Sequence, residues 1–257
     1  MILTANAQAV RSSRKPVHLS GGGSGWETGY FGPRKAPPGP EVFPSPQAFV
    51  VEMDAGAVVL PHFHDHDQFQ VFIAGSGLVG RHAVSALSVH YANRQTAYGP
   101  ITAGKNGVMY FVLRQVCDAG AAFLPASKSL QDREAPKLQL ISEAISACDT
   151  QALRELHEPA LTALTEPRGD GLAAWMLRIP SGAAAALPRA DGATGRFYIV
   201  TAGSLHLGDE QLPKLSPVFV SSDETAFEMR AGDEGLEVMV LQFPGDDRVL
   251  ARLHRAA

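Results

Sequence analysis

The chain is a succession of short hydrophobic runs rather than long amphipathic segments. The runs of the first half are AFVVEM, AVVLPHFH, FQVFIAG, LSVHYA and VMYFVLRQ, and they are separated by turns such as Asp-Ala-Gly and Gly-Lys-Asn-Gly. β-Branched and aromatic residues dominate these runs, as is typical of strands. Several short strands at close, regular spacing predict a β-sandwich or β-barrel.

The same pattern returns after Gly169, in the runs LAAWMLRIP, RFYIVTAG, SPVFVSS, AFEMRAG and LEVMVLQFP. Three pairs of glycines recur at nearly one spacing in the two halves: Gly56 with Gly182, Gly75 with Gly203, and Gly107 with Gly235. The first pair is 126 residues apart and the other two are 128 apart. This regularity predicts two copies of one β module, the alternative being chance agreement in a Gly-rich chain.

The composition along the chain divides it into four parts. Residues 1–47 contain GGGSG and APPGP and are predicted to form a loop-rich arm. Residues 48–125 and 169–257 are the two β modules. Between them, residues 126–168 are predicted to be a linker with a short strand or helix, because Leu138, Ile141 and Ile145 have near-helical spacing.

Charge and composition exclude several classes of protein. The 257 residues are 45% hydrophobic and carry a net charge of −4, with no dense Lys/Arg run, so no nucleic-acid partner is expected. Cys117 and Cys148 are too few for a disulfide framework. No secretory leader pattern and no apolar stretch of membrane-spanning length is present. We therefore expect a cytoplasmic protein that binds a small molecule and no membrane, with a homodimer left open.

The residues that carry chemistry lie in the first module, where His62 and His64 flank Phe63 and Gln68 follows. Side chains two apart on a strand project to the same face, so the two imidazoles can reach one cation. If the chain turns at residues 65–67, Gln68 comes to lie opposite them. This spacing is that of a metal site.

The run Gly56, five residues, His62-Phe63-His64, three residues, Gln68, six residues, Gly75 resembles the first motif of the cupin superfamily, G(X)5HXH(X)3-4E(X)6G. Only Gln68 departs from it, because the family usually has Glu there. The resemblance implies an all-β fold of two cupin barrels in tandem, a bicupin, with the metal inside the barrel. It also implies one divalent transition metal per chain, Fe, Mn, Ni or Zn, held by His62, His64 and Gln68.

The family's second motif normally supplies one more His, which this chain lacks. Tyr98, followed by Gly99-Pro100, is the best occupant of that place. The resemblance implies a metal ligand or an acid/base group for Tyr98, since some cupin lyases and cyclases have a tyrosine at the metal.

Two neighbours of the motif have open roles. His66 shares the parity of His64 and Gln68, and is either a further contact to metal or substrate or a solvated turn residue. Gln70 shares the face of Gln68 and is either a hydrogen-bonding partner of the site or a packing residue. Arg81 and Arg114 are each expected to be a solvated charge, and the alternative for either is a contact to an anionic substrate.

In the second module the equivalent of the motif reads Gly182-AAAAL-Pro188-Arg189-Ala190, so both histidines are lost. A structural role is expected there, with an anion site at Arg189 or Arg196 as the alternative.

The predicted function is that of a metal-dependent enzyme with dioxygenase-type chemistry on a chelating small organic substrate, and two alternatives accompany it. The first alternative is a redox-neutral lyase or isomerase in which Tyr98 moves a proton. The second is a binding module that captures a metabolite without turnover.

Overall fold

A computed structural model describes residues 1–36, 45–166, 168–187, 193–224 and 227–245. Its strands in chain order are β1 (Ile2–Thr4), β2 (Lys15–His18), β3 (Ser24–Phe31), β4 (Gln47–Met53), β5 (Val58–Val59), β6 (His62–Phe63), β7 (Gln68–Val79), β8 (His82–Ser85), β9 (Val89–Ala92), β10 (Ile101–Arg114), β11 (Ala122–Phe123), β12 (Gln139–Ile141), β13 (Ala160–Ala163), β14 (Ala173–Ile179), β15 (Ala184–Ala186), β16 (Gly195–Leu207), β17 (Glu210–Pro213), β18 (Pro217–Ser221) and β19 (Glu228–Phe243). One short helix, α1 (Thr150–Arg154), and two 3-10 turns, Ala9–Ser13 and Lys128–Leu130, complete the described elements. The predicted all-β class is confirmed.

The chain divides into two compact units, residues 11–145, here the first unit, and residues 1–10 with 146–257, here the second unit. The first unit has a nine-stranded antiparallel sheet in the order β12-β9-β7-β10-β4-β3-β2, with β5 beside β10 and β8 beside β7, and a separate β6–β11 pair. The second unit has an eight-stranded sheet in the order β1-β18-β16-β19-β14-β13, with β15 beside β19 and β17 beside β16. The same order of strands thus appears twice.

The repeated glycines mark the same structural position in each unit. Gly75 has a φ of 70° and Gly203 a φ of 66°, the left-handed region that disfavours other residues. A Cβ at Gly75 would lie 2.2 Å from the carbonyl oxygen of Gly107, and one at Gly203 would lie 1.9 Å from that of Gly235. The recurring spacing of Gly75 and Gly203 therefore reflects a close approach of two paired strands, which only glycine allows.

The predicted arm contributes strands rather than loops alone. β2 and β3 extend the sheet of the first unit, and β1 pairs with β18 in the second unit. Most of the APPGP run, residues 37–40, lies outside the described residues. The sequence analysis missed these strands because they lie in a segment whose GGGSG and APPGP runs are typical of loops.

The predicted linker contains both kinds of element. Residues 139–141 form β12 instead of the helix that the spacing of Leu138, Ile141 and Ile145 indicated, because β9 offers an open edge with which they pair. The helix α1 begins after Asp149, whose carboxylate accepts a hydrogen bond of 2.7 Å from the amide of Ala152. No helix within the described ranges is long and apolar enough to cross a membrane.

The interiors of the two units differ. The second unit encloses an apolar cluster that includes Ile179, Val200 and Leu236. The interior of the first unit also contains buried polar side chains, namely His62, His64, Gln68, Gln70 and Arg114. The second unit also buries polar side chains, among them Glu237 and Gln242, but the two histidines of the motif lie in the first unit, which therefore contains the candidate site.

Candidate functional site

The two predicted imidazoles lie side by side in the first unit. His62 is tied to Tyr98 by a pair of backbone hydrogen bonds of 3.0 and 3.1 Å, and the carbonyl of His64 accepts one of 2.7 Å from the amide of Gln95. Their ring centroids are 5.2 Å apart and both rings are buried. The turn at residues 65–67 and the shared face of the two imidazoles are as the spacing indicates.

Each imidazole has one nitrogen fixed by an acceptor. His62 Nδ1 lies 2.7 Å from the carbonyl oxygen of Leu60, and His64 Nδ1 lies 3.0 Å from Asp118 Oδ1. A carbonyl or carboxylate only accepts, so both Nδ1 atoms carry the proton and both Nε2 atoms keep a lone pair. Second partners of this kind are typical of histidines that act through Nε2.

Gln68 is fully engaged by two neighbours. Its Oε1 accepts a hydrogen bond of 2.7 Å from Arg114 Nη2, and its Nε2 donates to the hydroxyl of Tyr98. Because a guanidinium can only donate, Oε1 must be the atom that faces it. The hydroxyl of Tyr98 therefore accepts from Gln68, and its own proton is left to donate elsewhere.

Arg114 is at the centre of the site. Its side chain is only 2% exposed, and besides Gln68 it contacts His64 Nε2 at 3.1 Å and Gln47 Oε1 at 2.5 Å. Its Nε is buried without a hydrogen-bond partner among the described residues. The expectation of a solvated charge at Arg114 is therefore wrong. On β10, every second side chain projects to the same face, so Arg114 projects to the same face as Tyr110 and Val112. This alternation could have predicted that the guanidinium lies in the interior of the unit.

No carboxylate in the described part of the chain pairs directly with Arg114. Asp118 is reached only through His64, and it is also held by the amides of Asp65 and Gly120 at 3.2 and 2.6 Å. Arg34, the other arginine of the site, is neutralised by Glu27 at 2.5 Å. Of the two arginines that line the cavity, Arg114 has no direct counterion among the described residues.

These groups line a cavity of about 290 Å³ within the first unit. Its wall has a polar part that includes His62, His64, Gln68, Tyr98 and Arg114, and an apolar part. The apolar part consists of Val17, Leu19, Phe49, Val51, Val59, Tyr110, Val112 and Phe123. A cavity of this size and mixed lining suits a small organic molecule with one polar end.

Burial sets the protonation states. It lowers the pKa of His62 to about 4 and, together with the charge of Arg114, that of His64 to about 3, so both are neutral at pH 7. Burial raises the pKa of Tyr98 above its ordinary value, although Arg114 and Gln68 oppose the shift. Burial would raise the pKa of Asp118, but the hydrogen bond from His64, the charge of Arg114 and the hydrogen bond from the Gly120 amide together outweigh burial, and the pKa is lowered. Tyr98 is therefore a proton donor here and not a phenolate.

The remaining predicted residues are placed differently. Gln70 lines the cavity, and its Oε1 lies 2.6 Å from Nδ1 of His90, a fully buried residue outside the motif. His66 lies half-buried in the turn and is not among the residues that line the cavity. In the second unit Arg196 Nε donates to Gln242 Oε1 at 2.6 Å, whereas Arg189 lies outside the described residues.

The donor atoms as arranged do not fit a metal ion. Gln68 Oε1 accepts a hydrogen bond from Arg114 Nη2, and the same Nη2 lies over the ring of His64, 3.1 Å from Nε2 and 3.3 Å from Nδ1. Within the described ranges, no three His, Cys, Asp or Glu side chains are grouped to hold a metal. A buried cationic group thus lies in contact with two of the three predicted ligand residues. The predicted set of His62, His64, Gln68 and His66 remains a prediction.

Comparisons with known proteins show the fold. No family model matches the chain, and no curated protein matches it in sequence. A candidate dioxygenase of Nostoc punctiforme has a TM-score of 0.64 at 10% identity, covering 95% of this chain and 83% of that one. The pirin YhhW of Escherichia coli, in complex with nickel(II), has a TM-score of 0.56 at 11% identity and covers 96% of this chain and 100% of that one.

A third similar structure is the oxalate decarboxylase of Bacillus subtilis, described with Mn(II) centres, which has a TM-score of 0.54 at 11% identity. It covers 96% of this chain and 77% of that one. These proteins have the cupin fold, and so does this chain. At such low identity the likeness concerns the fold alone.

Proposed function

We propose that the cavity of the first unit binds a small organic anion and catalyses redox-neutral proton transfer on it, as a lyase or isomerase does. The observation that carries this proposal is Arg114, a buried cation with no direct carboxylate partner at a cavity that also presents a neutral imidazole. A buried charge favours a ligand of opposite charge. The chemical class is therefore a carboxylate or an enolisable oxo acid.

His62 is the proposed general base. Its Nδ1–H is bound to Leu60, and no described residue bonds its Nε2, so this nitrogen is available to a ligand. It would take a proton from carbon, and the electron pair left behind would move onto an oxygen of the substrate. Arg114 would stabilise that negative charge, because a preorganised cation in a dry site costs no reorganisation. Tyr98 would return a proton to the adjacent atom or oxygen.

Dioxygenase-type chemistry needs a metal ion. Because the donor atoms of the site are not arranged to hold one, this function is less well supported. The binding-module reading uses the same anion and the same guanidinium without turnover. The three functions can be distinguished by experiment. Only a dioxygenase consumes oxygen, and only a binding module lacks turnover.

Ligand binding tests the anion part of the proposal. Benzoate and its neutral counterpart benzamide have the same size, and we expect benzoate alone to raise the melting temperature. Arg114→Met should abolish this shift, whereas Arg196→Met, which alters the arginine of the second unit, should retain it. Equal shifts with both compounds, or with neither, would contradict the proposal.

Isotope exchange tests the chemistry. Phenylpyruvate in D₂O exchanges its benzylic protons slowly, and catalysed exchange followed by proton NMR reports proton abstraction directly. We expect wild-type protein to accelerate the exchange and His62→Ala to lose the acceleration. Benzoate binding without accelerated exchange of phenylpyruvate would favour a binding module, and oxygen uptake would favour a dioxygenase.

A further inference from the structure

One nitrogen of Arg114 is in contact with two of the residues that a cupin-type metal would need. Nη2 lies 2.7 Å from Gln68 Oε1, and it lies over the ring of His64 at 3.1 Å from Nε2 and 3.3 Å from Nδ1. We infer that the guanidinium of Arg114 takes the place of the metal ion in this chain, and that its removal uncovers a latent metal site. This inference does not depend on which anion the cavity binds.

The guanidinium is held in position from its other side. Nη1 donates to Gln47 Oε1 at 2.5 Å, and Gln47 Nε2 in turn donates to the carbonyl of Pro33 at 2.6 Å. The ring of Phe49 has its centroid 5.8 Å from the guanidinium carbon. If the Arg114 side chain moved out of the site, it would lose several of these contacts. The guanidinium is therefore held in one position within the site.

Charge argues in the same direction. The usual Glu is replaced by Gln68, so none of the three predicted ligands carries a negative charge. Asp118 lies behind His64 and offers its oxygens to Nδ1 of that residue and to two amides. A divalent ion beside an uncompensated guanidinium would be strongly repelled in this buried setting. Gln68 and Arg114 together replace what a carboxylate and a metal would supply.

The remaining geometry is that of a site ready for a cation. Both Nε2 atoms keep lone pairs because Leu60 and Asp118 fix the opposite nitrogens. This preparation is unnecessary for histidines that only pack. Removing the guanidinium and restoring the carboxylate at position 68 should therefore be enough to recruit a metal.

Calorimetric titration of untagged protein with Zn(II) and with Mn(II) tests the inference. The variants are Arg114→Met, Arg114→Met combined with Gln68→Glu, and the control Arg196→Met. Wild type and Arg196→Met should bind no stoichiometric metal tighter than about 1 mM. The double variant should bind one ion per chain at least about 100-fold more tightly, as expected for a restored charged ligand. Arg114→Met alone should lie between them.

Two further measurements make each result decisive. Adding His62→Ala to the double variant should abolish the gain, which separates this site from surface histidines. Arg114→Lys keeps a cation in the cavity and should bind no metal. Stoichiometric, micromolar binding by wild-type protein would overturn the inference, and this result needs no variant to fold. Failure of a double variant with a native circular dichroism spectrum to bind metal would overturn it as well.

Discussion

Arg114 Nη2 lies 2.7 Å from Gln68 Oε1 across β10 and β7, and the second unit has the same pair with the two residues exchanged. There Arg196 on β16 donates to Gln242 on β19 at 2.6 Å. Arg196 is 128 residues after Gln68, and Gln242 is 128 after Arg114. An Arg–Gln pair between these strands is thus compatible with both units, and in the first unit it is accompanied by the imidazoles of His62 and His64, whereas the second motif has Pro188 and Ala190 at the corresponding sequence positions.

Asp118 should be essential for the stability of the first unit. Asp118→Asn removes the negative charge nearest to Arg114 and weakens the bond that orients His64. The carboxylate of Asp118 accepts charge-assisted hydrogen bonds from His64 and two amides, so we expect its replacement to lower the free energy of unfolding by about 3 kcal/mol. Urea denaturation measures it.

The matched control is Glu234→Gln, which breaks the exposed Arg154–Glu234 pair of 3.5 Å. An exposed pair contributes less than about 1 kcal/mol, so this variant should unfold nearly as wild type does. Equal effects of the two substitutions would show that Asp118 has no special role.

Stability should fall on mild acidification. The pKa values of His62, His64 and His90 are lowered by burial to about 4, 3 and 3, against 6.5 in the unfolded chain. As pH falls below 6.5 the unfolded state binds protons that the folded state does not, so stability present at neutral pH is lost. Each histidine contributes about 1.4 kcal/mol per pH unit, or about 4 kcal/mol for the three, between pH 6 and 5.

Urea denaturation at pH 7, 6 and 5 checks this slope. His90→Gln keeps a polar partner for Gln70 but cannot titrate, and it should reduce the slope by about one third. A slope unchanged in this variant would mean that His90 does not bind a proton on unfolding in this range.

The sequence predicts the fold better than it predicts the site. Strand patterns and recurring glycines identify two β modules, because each reflects local geometry that a residue type imposes. The placement of His62, His64 and Gln68 likewise follows from alternation on strands joined by a short turn. Such local rules need no knowledge of the rest of the chain.

Asp118 and His90 could not be predicted in the same way. Asp118 is 54 residues from His64 and meets it only after the barrel has closed. His90 meets Gln70 through the register of β7 and β9, which pairs these two residues. Arg114 shares the parity of Tyr110 and Val112, but a buried arginine without a carboxylate runs against the usual distribution of charged residues. The function that we propose for the site rests on this exception.

Gly75→Ala should disrupt the first unit. The new methyl group would lie 2.2 Å from the carbonyl oxygen of Gly107, and φ is 70°. The backbone must move to relieve this contact, so we expect a loss of about 4 kcal/mol in the free energy of unfolding.

Gly56→Ala is the control, because the φ of Gly56 is nearly the same at 72° but nothing lies within 4 Å of the new methyl group. That variant should lose only about 1 kcal/mol. If both variants lose the same free energy of unfolding, the strain at positive φ explains the need for glycine at position 75, and the close approach of the two strands does not.

Tyr98→Phe should reduce turnover and leave binding nearly unchanged. The hydroxyl of Tyr98 accepts from Gln68 Nε2, so its proton is directed to a ligand, and its raised pKa keeps that proton in place at neutral pH. Arg114 holds the carboxylate in our proposal, and this contact survives the substitution. In the phenylpyruvate exchange assay we expect kcat to fall about 100-fold with KM changed little, whereas Arg114→Met should raise KM.

Tyr110→Phe is the matched control, because Tyr110 is equally buried, lines the same cavity and has a pKa that burial also raises. Since no described group bonds the hydroxyl of Tyr110 or ties it to the imidazoles, its loss should leave kcat within about twofold of wild type. Equal losses in the two variants would mean that a buried hydroxyl anywhere in the cavity is sufficient, and Tyr98 would then have no role as proton donor.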